Sequence, residues 1–378
     1  MARVTLSHFA RSGDKGIVEP EVELPPFQFQ EAFVTVTRWV GMAAVLVSMT
    51  AGANAQTPQE LGASCQGNDA DAAVTACTAL INARQDPPGT RAGTAHFFRG
   101  VAYLKKNDNA RAIPDLTEAI KLNPMNANAR TNRGAAYARN GQMDEALSDF
   151  GASLAVRPDD PPTLLNRGNI YSVKNQPDAA IQDFDRAIAL SPRYVNAYAA
   201  RGAEYARKGD TVRAMADYDQ ALTLSPREPR LWLARGLTYA RTGDITRAIQ
   251  DFDEGLRVAP DDAELLSNRG FAHQQKGDGT RALQDLDRAV ALAPQNPGAL
   301  GNRGFSHYQR GNNERAIADA NAALKIDPRR AGTLYYRGLA RRRIGDTAGG
   351  ESDLAAAKAL QADVAEMMAG FGLRVPAR

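Results

Sequence analysis

Residues 201–226, RGAEYARKGDTVRAMADYDQALTLSP, decide the fold. They open on Arg201-Gly202, pass Tyr205, break at Gly209, resume through Ala214, Asp217, Tyr218 and Ala221, and close on Pro226. Glycine and proline are the residues that end helices, and the segments between them have no strand-like alternation. The stretch therefore predicts helix, tight turn, helix, stop.

The same phrase recurs with a period of 34 residues. An Arg-Gly pair stands at 99–100, 133–134, 167–168, 201–202, 235–236, 269–270, 303–304 and 337–338, without an insertion. Twelve residues after each glycine comes alanine, from Ala112 to Ala316, and then Gly350. Fifteen after comes aspartate, from Asp115 to Asp353, and twenty-four after comes proline, from Pro124 to Pro328, and then Ala362. A fixed period of this length means a stacked array, not two or three domains with separate cores. A glycine inside a helix costs about 1 kcal/mol relative to alanine, so the glycine column predicts a close helix crossing. The alanine twelve residues later is the expected facing contact. Gly141, Gly209, Gly243, Gly277, Gly311 and Gly345, with Asn107 and Asn175 in the same column, predict left-handed turns between the paired helices. Pro114 predicts a distortion in the second helix of the first copy.

The pattern Gly202, Tyr205, Gly209, Ala214, Tyr218, Ala221, Pro226 resembles the tetratricopeptide repeat, and the resemblance extends over residues 93–364. It implies an all-α fold: a right-handed α-solenoid of about eight helix-turn-helix units whose first helices line a concave groove for a protein or peptide ligand. Mapped onto this chain, the groove candidates are Asn132, Asn166, Asn268 and Asn302, one residue before the Arg-Gly pair, and the apolar set Leu233, Leu237, Phe271, Phe305 and Tyr308. An asparagine amide can both donate to and accept from a peptide backbone. The apolar set predicts an open aromatic stretch in copies five to seven. The family's carboxylate-clamp pattern needs a lysine four residues before another groove asparagine. That column reads Phe97, Thr131, Leu165, Ala199, Leu233, Ser267, Gly301 and Tyr335, so this specialised function has no support. His273 and His307 stand in the tyrosine column and read as packed aromatic substitutes.

Composition narrows the chemistry. Forty-six Lys and Arg against 43 Asp and Glu leave a net charge of +3, which gives no support to nucleic-acid binding. Two cysteines and four histidines leave little for a metal cluster, and no phosphate loop, paired-histidine zinc motif or nucleophile elbow is present. No catalytic set and no cofactor are expected. The charged columns Arg133, Arg167, Arg201, Arg235 and Asp149, Asp183, Asp217, Asp251 are expected to form a structural ladder of ion pairs. Five residues after the glycine, Lys105, Arg139, Arg207, Arg241 and Arg343 sit in the last helical turn, where a cation favours the negative dipole end.

The remaining segments flank the array. Residues 38–55, RWVGMAAVLVSMTAGANA, have the positive flank, short apolar run and small-x-small ending of a cleavable export signal. Residues 1–55 are thus expected to be removed, leaving no stable membrane anchor; the acidic stretch 1–33 fits a mis-called start. Residues 56–92 hold Cys65 and Cys77 on a helical hairpin, and in an exported protein these are expected to form a disulfide that staples the first end of the stack. Two free buried cysteines are the alternative. Residues 365–378 are expected to add a capping helix. The sequence therefore describes a non-catalytic scaffold, exported to a bacterial periplasm and binding protein through its groove. An accessory subunit of an envelope enzyme or polysaccharide-export assembly is the alternative.

Overall fold

A computed structural model describes residues 56–87 and 89–371; the expected leader at 1–55 and the end of the expected cap, 372–378, lie outside the described residues. Helices are the regular elements among the described residues, and no strand occurs. The chain divides after Leu224 into two compact units. The unit over residues 56–224 holds α1 (Pro58–Cys65), α2 (Ala70–Asn82), α3 (Thr94–Lys105), α4 (Asn109–Leu122), α5 (Ala127–Arg139), α6 (Met143–Val156), α7 (Pro161–Val173), α8 (Pro177–Leu190), α9 (Val195–Arg207) and α10 (Thr211–Leu224). The unit over residues 225–371 holds α11 (Pro229–Arg241), α12 (Ile245–Val258), α13 (Ala263–Gln275), α14 (Gly279–Leu292), α15 (Pro297–Gln309), α16 (Asn313–Ile326), α17 (Ala331–Arg343), α18 (Thr347–Leu360) and α19 (Val364–Gly370).

Each unit is an α-solenoid segment of antiparallel helix pairs. The second helix of a pair packs on the first helix of the next, as in α4 on α5 and α12 on α13. First helices of neighbouring pairs also touch, as in α5 with α7 and α13 with α15, whereas no two second helices do among the described residues. Within each unit the first helices therefore lie on the inner side of the bend.

The turn column takes the left-handed conformation the sequence predicts, with φ 81° at Gly209 and 56° at Asn107. That conformation lets the next amide turn back onto the helix just ended, Asp210 N–H donating to the Tyr205 carbonyl at 2.8 Å and Asp108 N–H to that of Tyr103 at 2.9 Å. The aspartate after the turn then caps the following helix: Asp108 accepts from the Arg111 amide, and Asp244 from that of Arg247.

At the glycine column the crossing is close, and the expected alanine faces it through its backbone, joined by a bulky side chain outside the expectation. A Cβ on Gly168 would stand 2.5 Å from Phe184 Cε1, and one on Gly236 2.6 Å from Phe252 Cε1. The bulky residue sixteen positions on fills the space; the fully buried alanine column contributes backbone, as with the Ala282 carbonyl beside Gly270. An alanine side chain is too short to reach across two helix axes, and a longer side chain covers the bare backbone. The pair α15/α16 breaks the rule, because Ala320 occupies the bulky position. Tyr336 from α17 reaches in instead, its hydroxyl against Gly304.

Pro114 does not interrupt α4, which is helical from Asn109 to Leu122. The proline removes one donor, and the carbonyl thereby freed belongs to Ala110, an exposed residue at the start of the helix that water can serve. At the other ends, Cys65 and Cys77 are joined in a disulfide between α1 and α2, Cα atoms 4.8 Å apart. Helix α19 buries Val364, Met367 and Met368 in the same cluster as Tyr335 and Tyr336.

Candidate functional site

The charged columns meet in every helix pair from α3/α4 onward. Each arginine holds its aspartate through Nε and Nη2 at 2.6–2.9 Å, from Arg99 with Asp115 to Arg337 with Asp353, including Arg133–Asp149, Arg167–Asp183, Arg201–Asp217 and Arg235–Asp251. The spacing of sixteen residues places the arginine on the first helix opposite the aspartate on the second. Two parallel charge-assisted bonds fix both the distance and the rotation of the two helices.

The third guanidinium nitrogen links repeats, a contact the sequence reading missed. Nη1 donates to Thr117 from Arg133 at 3.0 Å, to Asp185 from Arg201 at 2.6 Å, to Asp253 from Arg269 at 2.7 Å and to Asn321 from Arg337 at 2.8 Å. Each acceptor lies on the preceding second helix, two residues past its aspartate. The signal was present as a column of Thr117, Asp185, Asp253, Asp287 and Asn321, blurred by mixed residue types and by Gly151, which offers Arg167 nothing. Hydrogen bonding to Asp217, with Asp185 adding to it, raises the Arg201 pKa above the guanidinium range against the opposing cost of burial. Asp285 and Asp253 do the same for Arg269. Each of these two arginines thus spends an N–H from all three of its nitrogens on carboxylates within the fold.

The basic column is also occupied internally. Arg139 Nη1 donates to the Leu104 carbonyl at 3.5 Å and Arg343 Nη1 to the Tyr308 carbonyl at 3.4 Å, each serving the carbonyl end of the preceding first helix. A shallow cleft of about 250 Å³ brings Arg257, Arg269 and Arg288 near one another, but each is paired, with Glu254, Asp285 and Asp261 respectively. No group of three or more potential metal ligands occurs among the described residues. His273 and His307 are buried, and burial lowers both imidazole pKa values.

The groove asparagines differ from one another. Asn268 Nδ2 donates to the Glu264 carbonyl of its own helix at 2.9 Å, and Asn302 Nδ2 to Ser267 Oγ of the neighbouring first helix at 3.1 Å. Asn132 is half-buried. Asn166 is 2 % exposed, and its carbonyl oxygen has no hydrogen-bond partner; the same holds for Asn169, three residues along α7. Beside them on this face, the buried carboxylate of Glu204 on α9 accepts from Ser172 Oγ and from Arg207.

The open aromatic stretch expected in copies five to seven is closed. Leu233, Phe305 and Tyr308 are buried, at 4 %, 4 % and 1 % exposure, while Leu237 and Phe271 are half-buried against the same cores. Tyr308 lies under the Arg343 guanidinium, 4.1 Å from the ring centroid. Over Phe271 and Phe305 sits the ring of Phe371, with centroids 5.3 and 6.5 Å away. These residues lie on first helices, where adjacent first helices and, at Phe271 and Phe305, the ring of Phe371 cover them.

Profiles described as tetratricopeptide repeat match residues 97–161, 161–194, 202–263, 233–297 and 297–330. No curated protein matches the chain. Among solved structures, a tetratricopeptide repeat protein from Parabacteroides merdae is 21% identical with a TM-score of 0.56, over 66% of this chain and 98% of that one. The APC/C hetero-tetramer Cut9-Hcn1 is similar at 15% identity and a TM-score of 0.56, over 83% of this chain and 61% of that one. PilW, a widely conserved type IV pilus biogenesis factor, is similar at 21% identity and a TM-score of 0.52, over 56% of this chain and 98% of that one. At these identities the likeness is one of fold. With profiles matching more than half of its length and the glycine, alanine and proline columns set in paired helices, the chain belongs to the tetratricopeptide repeat family.

Proposed function

We propose that this protein is a non-catalytic scaffold that is exported and binds a protein or peptide segment along the first helices α5, α7 and α9. One observation carries the binding reading: the buried carbonyl oxygens of Asn166 and Asn169, on one face of α7, lack donors. Leaving a buried acceptor unpaired costs about 1–3 kcal/mol; an extended peptide that parts the side chains covering these oxygens would relieve that cost with its backbone N–H groups, so binding here is coupled to a local opening of the face. The charged columns spend their Nε and Nη2 donors on one another, which leaves the unsatisfied amides of α7 among the groups that can recognise a partner.

The readout is capture of partners from cell-envelope extract by the wild-type chain and by Asn166→Ala/Asn169→Ala. The double variant loses two orphaned acceptors, so its melting temperature is expected to hold or rise while capture falls at least tenfold. Unchanged capture discards the α5–α9 face. Export is supported by the signal-like residues 38–55 and by the Cys65–Cys77 bridge. N-terminal sequencing of the protein from an envelope fraction should begin at Gln56; a peptide from within residues 1–55 would contradict it.

A further inference from the structure

In the unit over residues 225–371, Phe371, just past α19, lies on the inner face of α13 and α15. Phe371 places its ring on Phe271 and Phe305, and its backbone carbonyl accepts from Gln309 Nε2 at 2.8 Å. The contact thus reads two features of a polypeptide at once, an aromatic side chain and the carbonyl of the same residue. Gln309 is exposed, and both Phe271 and Phe371 keep part of their surface in water, so the seat is open to solvent on one side and has the buried Phe305 as its floor.

Phe371 and α19 pack on one apolar cluster, in which Phe305 also meets Tyr336, but they occupy different parts of it. The helix is anchored by Val364, Met367 and Met368, which are 1–5 % exposed in the core with Tyr335 and Tyr336. Between that anchor and the ring stands Gly370, which has no neighbour within 4 Å of where a Cβ would be. Rotation about its backbone can withdraw the ring and leave the helix in place.

We propose that the Phe271–Phe305–Gln309 face is a docking seat for an extended peptide segment anchored by one aromatic side chain, and that Phe371 is its resident competitor. This seat is distinct from the α7 amides in position and chemistry, so neither reading depends on the other. A ring tethered through a short flexible link has an effective concentration of roughly millimolar. If its own dissociation constant is about tenfold below that, it holds back an incoming peptide by about tenfold.

The test uses the full chain and a fluorescein-labelled peptide of the sequence 364–378, VAEMMAGFGLRVPAR, read by anisotropy. Phe371→Ala is expected to bind the peptide about tenfold more tightly than the wild type. A peptide with alanine in place of its phenylalanine is expected not to bind. Phe371→Leu, which keeps apolar burial without the ring, should give an intermediate gain and covers failure of the alanine variant to fold. Equal affinity for wild type and variants, no binding to any of them, or equal binding of the ring-less peptide overturns the proposal. A dimer in sedimentation that Phe371→Ala dissociates also overturns it, because the seat would then belong to a second copy of this chain.

Discussion

The hydroxyl of Tyr336 lies 2.5 Å from where a Cβ on Gly304 would stand, in the space that a phenylalanine, tyrosine or leucine fills in the preceding helix pairs. Ala320 is too small to fill it, and α17 supplies the missing ring from the next repeat. Tyr336→Ala should therefore open a cavity between two repeats and cost about 3–5 kcal/mol. Ala320→Phe alone should also destabilise, by about 1–3 kcal/mol from overpacking. The two combined should cost less than their sum, since the new ring enters the vacated space. Chemical denaturation of the three variants checks this, and strict additivity would show that the two side chains do not share one site.

The arginine ladder makes a graded prediction. Arg167→Ala leaves Asp183 buried without its cation, and breaking a buried pair costs about 3–5 kcal/mol; solvent screening at the partly exposed arginine brings the expectation to about 2–3 kcal/mol. Arg201→Ala loses the same grip on Asp217 and also the bond to Asp185 on the preceding repeat. Its melting temperature should fall further than that of Arg167→Ala, and Asp185→Ala should abolish the difference.

Reduction should be felt in the first unit. Closing the loop between Cys65 and Cys77 stabilises by about 3 kcal/mol in the chain-entropy model. Dithiothreitol, or Cys65→Ser/Cys77→Ser, is expected to lower the stability of residues 56–224 by that order. A thiol titration of the unreduced protein should find no free cysteine; finding two would remove the bridge.

Two histidines set a pH dependence near neutrality. Burial favours the neutral imidazoles of His273 and His307, so each folded pKa lies below the ordinary 6.5 and the unfolded chain binds more protons between the two values. Their contribution to stability is complete above about pH 6.5 and is lost as the pH falls through the lowered values. The melting temperature should thus drop between pH 7.5 and 5. His273→Tyr/His307→Tyr, which restores the residue found in the same column at Tyr205 and Tyr239, should flatten most of that drop.

Much of this was legible in the sequence because the contacts repeat. The Arg201–Asp217 pair, the Gly209 turn and the Pro226 stop each recur at a fixed offset, and the same local geometry solved eight times leaves a column. The Arg201–Asp185 bond was less legible, since its acceptor needs only an oxygen and the column drifts among threonine, aspartate and asparagine. Pro114 leaves α4 intact, against the pattern's expectation, because a missing N–H matters little where the freed carbonyl is on an exposed residue.

By itself, the sequence determined the helix pairs, their turns and stops, and the charges that hold each pair, because all of these depend on residues within one 34-residue period. Tertiary structure alone decided which apolar residues stay open to a partner. Phe305 and Tyr308 look like groove residues in the repeat pattern, yet neighbouring helices bury them, and the ring of Phe371, distant in sequence, covers both Phe271 and Phe305. Burial depends on everything that comes to rest on a surface, and a periodic pattern records only what recurs.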